Sequence, residues 1–241
     1  MTPSPVGGER RTRGFGTRFV VIGAMAVAAT AIVAFSVLLD DVVRSRGLAS
    51  YDLHTVWALV GAREPRSMAV MRIVTAVGSP MAMSCVAAAV CGWLSWWRRT
   101  VRPLVLGAVG VGGIAVLDTA TKYMVARPRP PRALRAVAVD GYSFPSGHAS
   151  FSAVVIPLCC VLATHWAVRG LGRRVLLWLG ALVVVASVGL SRVFLGAHYP
   201  SDVLAGWSLA AAWDVLLLMA MMVFPASPPK SAGSGEHATR G

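Results

Sequence analysis

The sequence predicts an all-α fold, a polytopic membrane bundle of six transmembrane helices. Three observations carry this expectation. Of 241 residues, 56% are hydrophobic and only 14% are charged, and the mean hydropathy is +0.66; a soluble domain of this length needs more charge to cover its surface. Apolar runs of about 20 residues, the length that crosses a hydrocarbon core, recur along the chain. Most arginines sit at the ends of those runs or in one central loop, not along an amphipathic face.

Residues 1–18 form a polar tail rich in Gly, Pro and Arg, with Arg10, Arg11, Arg13 and Arg18. The first apolar run, Phe19 to Leu39, has the basic flank of a signal peptide. It is too long for one, however, and no small-x-small cleavage site follows, so it reads as a retained span. Two short amphipathic helices, Tyr51–Val60 and Met68–Val77, are expected at the membrane interface, a depth that suits Trp57. Met81–Trp97 is the second span, ending in the aromatic-basic anchor Trp96-Trp97-Arg98-Arg99, and Pro103–Val125 is the third. An Arg- and Pro-dense loop, 126–147, leads to the fourth span at His148–Val168, where Pro157 is placed to kink the helix. Val175–Leu195 and Asp202–Phe224 complete the set. The membrane-embedded domain is thus 19–224, and residues 225–241 read as a disordered tail.

The net charge of +13 raises the question of nucleic acid, but arginines at span ends point to anionic headgroups and phosphate instead. No nucleic-acid partner is expected. Cys85, Cys91, Cys159 and Cys160 all lie inside apolar runs, where small packing residues belong. No Cys/His cluster offers a metal site, and no cofactor is expected. Gly107, Gly110, Gly112 and Gly113 lack a following Lys-Ser or Lys-Thr and read as close helix packing, not as a phosphate loop.

Six spans put both termini on one side, together with Arg98, Arg99, Arg102, Arg169, Arg173 and Arg174. The opposite side also holds many arginines; with those of the central loop assigned to function, the positive-inside rule makes the first side the cytoplasm. Alternating span directions then bring the end of the third span, the start of the fourth, the end of the fifth and the start of the sixth to the opposite face.

Those four points carry the ionisable residues that a membrane protein otherwise avoids. They are Lys122-x6-Arg129-Pro130, Pro145-Ser146-Gly147-His148, and Ser191-Arg192-x5-His198-x3-Asp202. Lys122, Arg129 and Arg192 suit phosphate oxygens, Arg as a planar fork and Lys as a compact point charge. Ser146, Gly147 and His148 open a helix whose N–H groups face an anion. Two histidines permit one to attack phosphorus as neutral imidazole while the other trades protons. Asp202, four residues after His198, is placed to accept its ring N–H. Arg127, Arg132 and Arg135 read as headgroup contacts or a solvated loop surface. Asp118, one turn before Lys122, either pairs with a site cation or solvates a helix end.

The three segments together resemble the signature K-x6-R-P, P-S-G-H and S-R-x5-H-x3-D of the type 2 phosphatidic acid phosphatase and vanadium haloperoxidase superfamily. The resemblance implies an acid phosphatase/haloperoxidase-like helical core and, with six spans, the lipid phosphatase branch. It implies that His198 is the nucleophile, Asp202 its orienting partner and His148 the acid and base. Lys122, Arg129, Ser146, Gly147 and Arg192 would form the phosphate cradle, and no metal would be needed. The implied substrate is a lipid phosphate or diphosphate of the phosphatidic acid, phosphatidylglycerol phosphate or undecaprenyl diphosphate class. The expected location is a bacterial inner membrane, and the positive-inside reading puts the site on the extracytoplasmic side. The alternatives are a lipid-phosphate binding or transport protein without turnover, and a vanadate-dependent haloperoxidase.

Overall fold

The computed structural model describes the backbone of residues 6–223 and the side chains of residues 20–222. Eight α-helices and two short 3-10 turns make up the described residues, with no strand among them. They are α1 (Val6–Arg44), α2 (Asp52–Gly61), α3 (Pro65–Val77), α4 (Pro80–Arg98), α5 (Arg102–Val125), α6 (Gly147–Trp166), α7 (Leu171–Phe194) and α8 (Pro200–Val223). Six of them, all except α2 and α3, are long and apolar enough to cross a membrane. Residues 6–18 of the basic tail continue α1 back from the first span. The expected tail at 225–241 lies outside the described residues.

Local chemistry sets the helix starts. Proline occupies the first turn of α3, α4 and α5, where its missing N–H costs nothing and its φ is already helical. Ser79 caps α4 by accepting from the Ala82 N–H at 3.2 Å. α5 stops at Ala126, whose φ of 50° is left-handed, just before the Arg127-Pro128 pair that disfavours further helix. Pro157 sits inside α6 without ending it.

Helix α6 is the axis of the bundle, packed against α4, α5, α7 and α8, whereas α1 leans chiefly on α8. The main core joins Met83 and Ala87 of α4, Ile114 of α5, Phe151, Val154 and Val155 of α6, and Ala210 and Leu217 of α8. The glycines of α5 serve that packing: Gly107 lies against Cys91, Gly110 against Leu217 and Leu158, and Gly113 against Trp213. Large apolar side chains on the outer faces of α1, α4, α5 and α7 remain exposed, as a lipid-facing belt requires. Arg98 stacks over Trp97 at 4.2 Å, the anchor expected at that span end.

The site end of the bundle is closed by α2 and α3. A second core unites Val56 of α2, Leu134 of the central loop, Ala149 of α6, Val193 of α7 and Val203 of α8. Arg63, in the turn between α2 and α3, donates to the carbonyls of Phe194 (2.8 Å) and Leu134 (2.9 Å). The central loop is thereby tied to the end of α7. Gly206 lets the starts of α6 and α8 approach, because a Cβ there would meet the Ser146 carbonyl at 2.9 Å and Ser150 Oγ at 3.0 Å.

Candidate active site

The turn between α7 and α8 aims His198 into the protein. It passes through Gly196, whose φ of +68° places it over the Leu134 carbonyl with no room for a side chain. α8 then begins with Pro200 and carries Asp202 in its first turn, a favourable place for negative charge. Asp202 is fully buried. Its Oδ2 accepts the Tyr199 N–H at 2.9 Å, reaching back as the acidic partner of a capping box does. The same oxygen accepts from the Ser143 hydroxyl and faces His198 Nδ1 at 3.4 Å.

His198 Nε2 lies 3.0 Å from Arg129 Nη1. Because a guanidinium only donates, Nε2 is the unprotonated nitrogen and Nδ1 carries the proton toward Asp202. Arg129 is held by the carbonyls of Ala197 (2.8 Å), Gly141 (3.0 Å) and Asp140 (3.2 Å). Burial pushes the His198 imidazole down to about 4, against the opposing pull of Asp202. The ring is thus neutral through the physiological range.

This shift has a consequence for stability. With the folded value below that of a free histidine, the unfolded chain binds more protons between about pH 6.5 and 4. The neutral ring's contribution is therefore complete above pH 6.5 and is lost as pH falls through about 4, a change of roughly 3 kcal/mol. The melting temperature in detergent is expected to drop across that window. A His198→Gln protein should drop less, and an identical drop would refute the assignment.

The start of α6 supplies the opposite wall. Ser146 takes the N-cap position but makes no capping bond with its side chain. Its hydroxyl is buried and unpartnered. Gly147 packs against the Lys122–Asp118 pair. His148, partly exposed, lies within the fields of Arg192, His198, Arg129 and Lys122. Lys122 Nζ donates to Asp118 Oδ2 at 2.5 Å and to the Pro145 carbonyl at 2.6 Å. Arg192 is buried, donates Nη1 to Thr75 Oγ1 of α3 at 2.5 Å, and leaves Nε without a partner.

All eight residues singled out from the sequence thus gather at one end of the bundle. Asp118 resolves to a buried partner of Lys122, also reached by the Ser150 hydroxyl at 3.3 Å. Arg127 requires a correction, since it is neither a headgroup contact nor a solvated surface. It is largely buried and bridges Asp202 Oδ1 (2.5 Å) and Asp52 Oδ2 (2.7 Å). Asp52, Ser143 and Thr75 were not anticipated. Nothing in their spacing distinguishes them; Asp52, the one acidic residue of the short helix α2, is the only signal available. Arg132 and Arg135 line a loop cavity of about 430 Å³ with Asp140.

A helical membrane bundle that gathers Lys122, Arg129 and Arg192 around two histidines has the make-up of a membrane phosphatase. Similarity to known proteins agrees. The profile of the PAP2 superfamily matches residues 103–224. Phosphatidylglycerophosphatase B of Bacillus subtilis is 29% identical over 73% of this chain and 85% of its own length. An undecaprenyl-diphosphatase of Sulfolobus acidocaldarius is 31% identical over 40% of this chain and 44% of its own. The crystal structure of a transmembrane PAP2-type phosphatidylglycerolphosphate phosphatase from Bacillus subtilis superposes with a TM-score of 0.76 at 25% identity. That superposition covers 82% of this chain and 97% of the other. The chain belongs to the PAP2 superfamily and is a multi-pass membrane phosphatase.

Proposed function

We propose that the protein hydrolyses a lipid phosphate or lipid diphosphate through a phosphohistidine intermediate, without a metal, at the extracytoplasmic face. The observation that carries this reading is a pair of buried donors without partners, Arg192 Nε and Ser146 Oγ, the first within the field of both histidines and the second at the N-cap two residues before His148. Buried polar atoms are rarely left unpaired, and phosphate oxygens would satisfy both.

In the reaction, the Nε2 lone pair of His198 attacks phosphorus and an N–P bond forms as the P–O bond breaks. The bonding pair leaves on the departing oxygen, which takes a proton from His148. His148, now neutral, removes a proton from water; the water oxygen bonds to phosphorus and the N–P pair returns to Nε2. Asp202 stabilises the charge that builds on the His198 ring. Lys122, Arg129, Arg192, Ser146 and the N–H groups at Gly147 and His148 hold the phosphoryl oxygens. Arg129, which donates to Nε2, turns onto the phosphate when it arrives.

The lipid class follows from the surroundings. Immediately beyond Lys122, Tyr123 and Met124 are 73% and 85% exposed, so an acyl or prenyl chain can stay in the bilayer while its phosphate enters. The names of the relatives, a phosphatidylglycerophosphatase and an undecaprenyl-diphosphatase, support that class. Once the arginines of the central loop are assigned to the site, the remaining arginines favour the opposite end, which supports the orientation.

The test is phosphate release in detergent from phosphatidic acid, phosphatidylglycerol phosphate and undecaprenyl diphosphate, with EDTA present throughout. Turnover of at least one, inhibited by vanadate, is expected. Binding of all three with no release would favour a non-enzymatic lipid-phosphate carrier.

A further inference from the structure

Arg127 lies outside the residues that hold phosphate, and Asp52 belongs to an interfacial helix that precedes the signature by 70 residues (52 against 122). Yet the two form the most enclosed charge cluster behind the site. Asp52 and Asp202 are both buried, at 2% and 0% exposure. A single guanidinium spans them, with Nη2 on Asp52 and Nη1 on Asp202. The plane of Arg127 also lies 4.3 Å from the Tyr199 ring. Its Nη1 reaches Ser201 Oγ at 2.8 Å. Ser201 in turn gives its N–H to Asp52 Oδ1 at 3.0 Å and its hydroxyl to Asp52 Oδ2.

The division of Asp202 is what matters. One oxygen, Oδ2, serves His198, Ser143 and the Tyr199 N–H, and the other, Oδ1, serves Arg127 alone. An arginine paired only with Asp202 would cancel the negative charge needed when the His198 ring becomes cationic. Asp52 supplies a second carboxylate to that arginine. The trio Asp52, Arg127 and Asp202 therefore carries a net charge of −1, which a cationic phosphohistidine brings to zero. Without Asp52 the same group is neutral before the reaction and positive after it.

We propose that Asp52 and Arg127 are positioning residues for the hydrolysis. Arg127 fixes the orientation of Asp202 behind His198, and Asp52 restores the negative charge that Arg127 would otherwise remove. The interfacial helix α2 is thereby part of the catalytic apparatus. This rests on His198 being the nucleophile.

The experiment measures kcat and KM for phosphate release from short-chain phosphatidic acid in detergent, per folded protein by size exclusion. The variants are Asp52→Asn, Arg127→Lys, Asp52→Asn/Arg127→Gln and His198→Ala. Asp52→Asn is expected to lower kcat by about 10- to 100-fold, the usual range for groups that orient a reacting side chain, with KM unchanged because no contact to phosphate is lost. Arg127→Lys should fall similarly, since a point charge does not span two carboxylates. The double variant should be no slower than Asp52→Asn, as members of one unit do not add their losses. Wild-type kcat in Asp52→Asn overturns the proposal. So do losses that multiply in the double variant, or a loss seen in KM alone. If Arg127→Lys does not fold, Asp52→Asn and the double variant decide. An active His198→Ala protein would instead overturn the nucleophile assignment, so the two failures are separable.

Discussion

Replacing His198 with alanine is expected to reduce phosphate release on the order of 10⁴-fold, the scale seen when one member of a cooperating catalytic group is removed. In the proposed mechanism this ring is the nucleophile, held between Asp202 at Nδ1 and Arg129 at Nε2. The same variant should lose the acid-labile, alkali-stable phosphoprotein that a brief reaction with labelled substrate leaves in the wild type. Lipid binding should persist, because Lys122, Arg192 and Ser146 are untouched. A His198→Ala protein with wild-type turnover would remove the basis of the proposed mechanism.

His148→Ala is expected to cost about 10²- to 10⁴-fold in kcat on a lipid phosphate, the range for a lost general acid. The loss should depend on the leaving group. An alkoxide departs poorly without a proton, whereas p-nitrophenolate needs none, so p-nitrophenyl phosphate should still phosphorylate the variant. Hydrolysis of the phosphohistidine still lacks its base, and the covalent intermediate should accumulate. Quenched-flow trapping with that substrate reads the difference directly. Equal losses on both substrates, with no trapped intermediate, would show that His148 binds phosphate but does not move protons.

Much of the architecture was readable from periodicity and composition. Six apolar runs leave few choices, since backbone polar groups in hydrocarbon must be satisfied within each helix. The six observed spans fall where the runs do, displaced by a few residues at their ends. The two short helices expected between the first and second spans are present as α2 and α3. The eight site residues also meet at one end of the bundle, because alternating span directions put those four span ends on one face.

Arg127 marks where that reasoning stopped. In sequence it is one arginine among several in a basic loop, like Arg132 and Arg135, and local chemistry assigns all three to headgroups or water. Its burial depends on α2 folding over the end of the bundle and on the side on which Asp52 then faces. Thr75 is similar: an ordinary threonine on an amphipathic helix, until α3 packs against α7 and its hydroxyl meets Arg192.

The sequence by itself determined the membrane bundle, the face on which the charged segments meet and the chemistry those residue types suit. These depend on interactions local to a span or imposed by the bilayer. Only the tertiary structure decided which carboxylate stands behind which cation. Packing of α2 and α3 against α7 and α8 sets those pairings, and a buried charge accepts only the partner that packing places within reach.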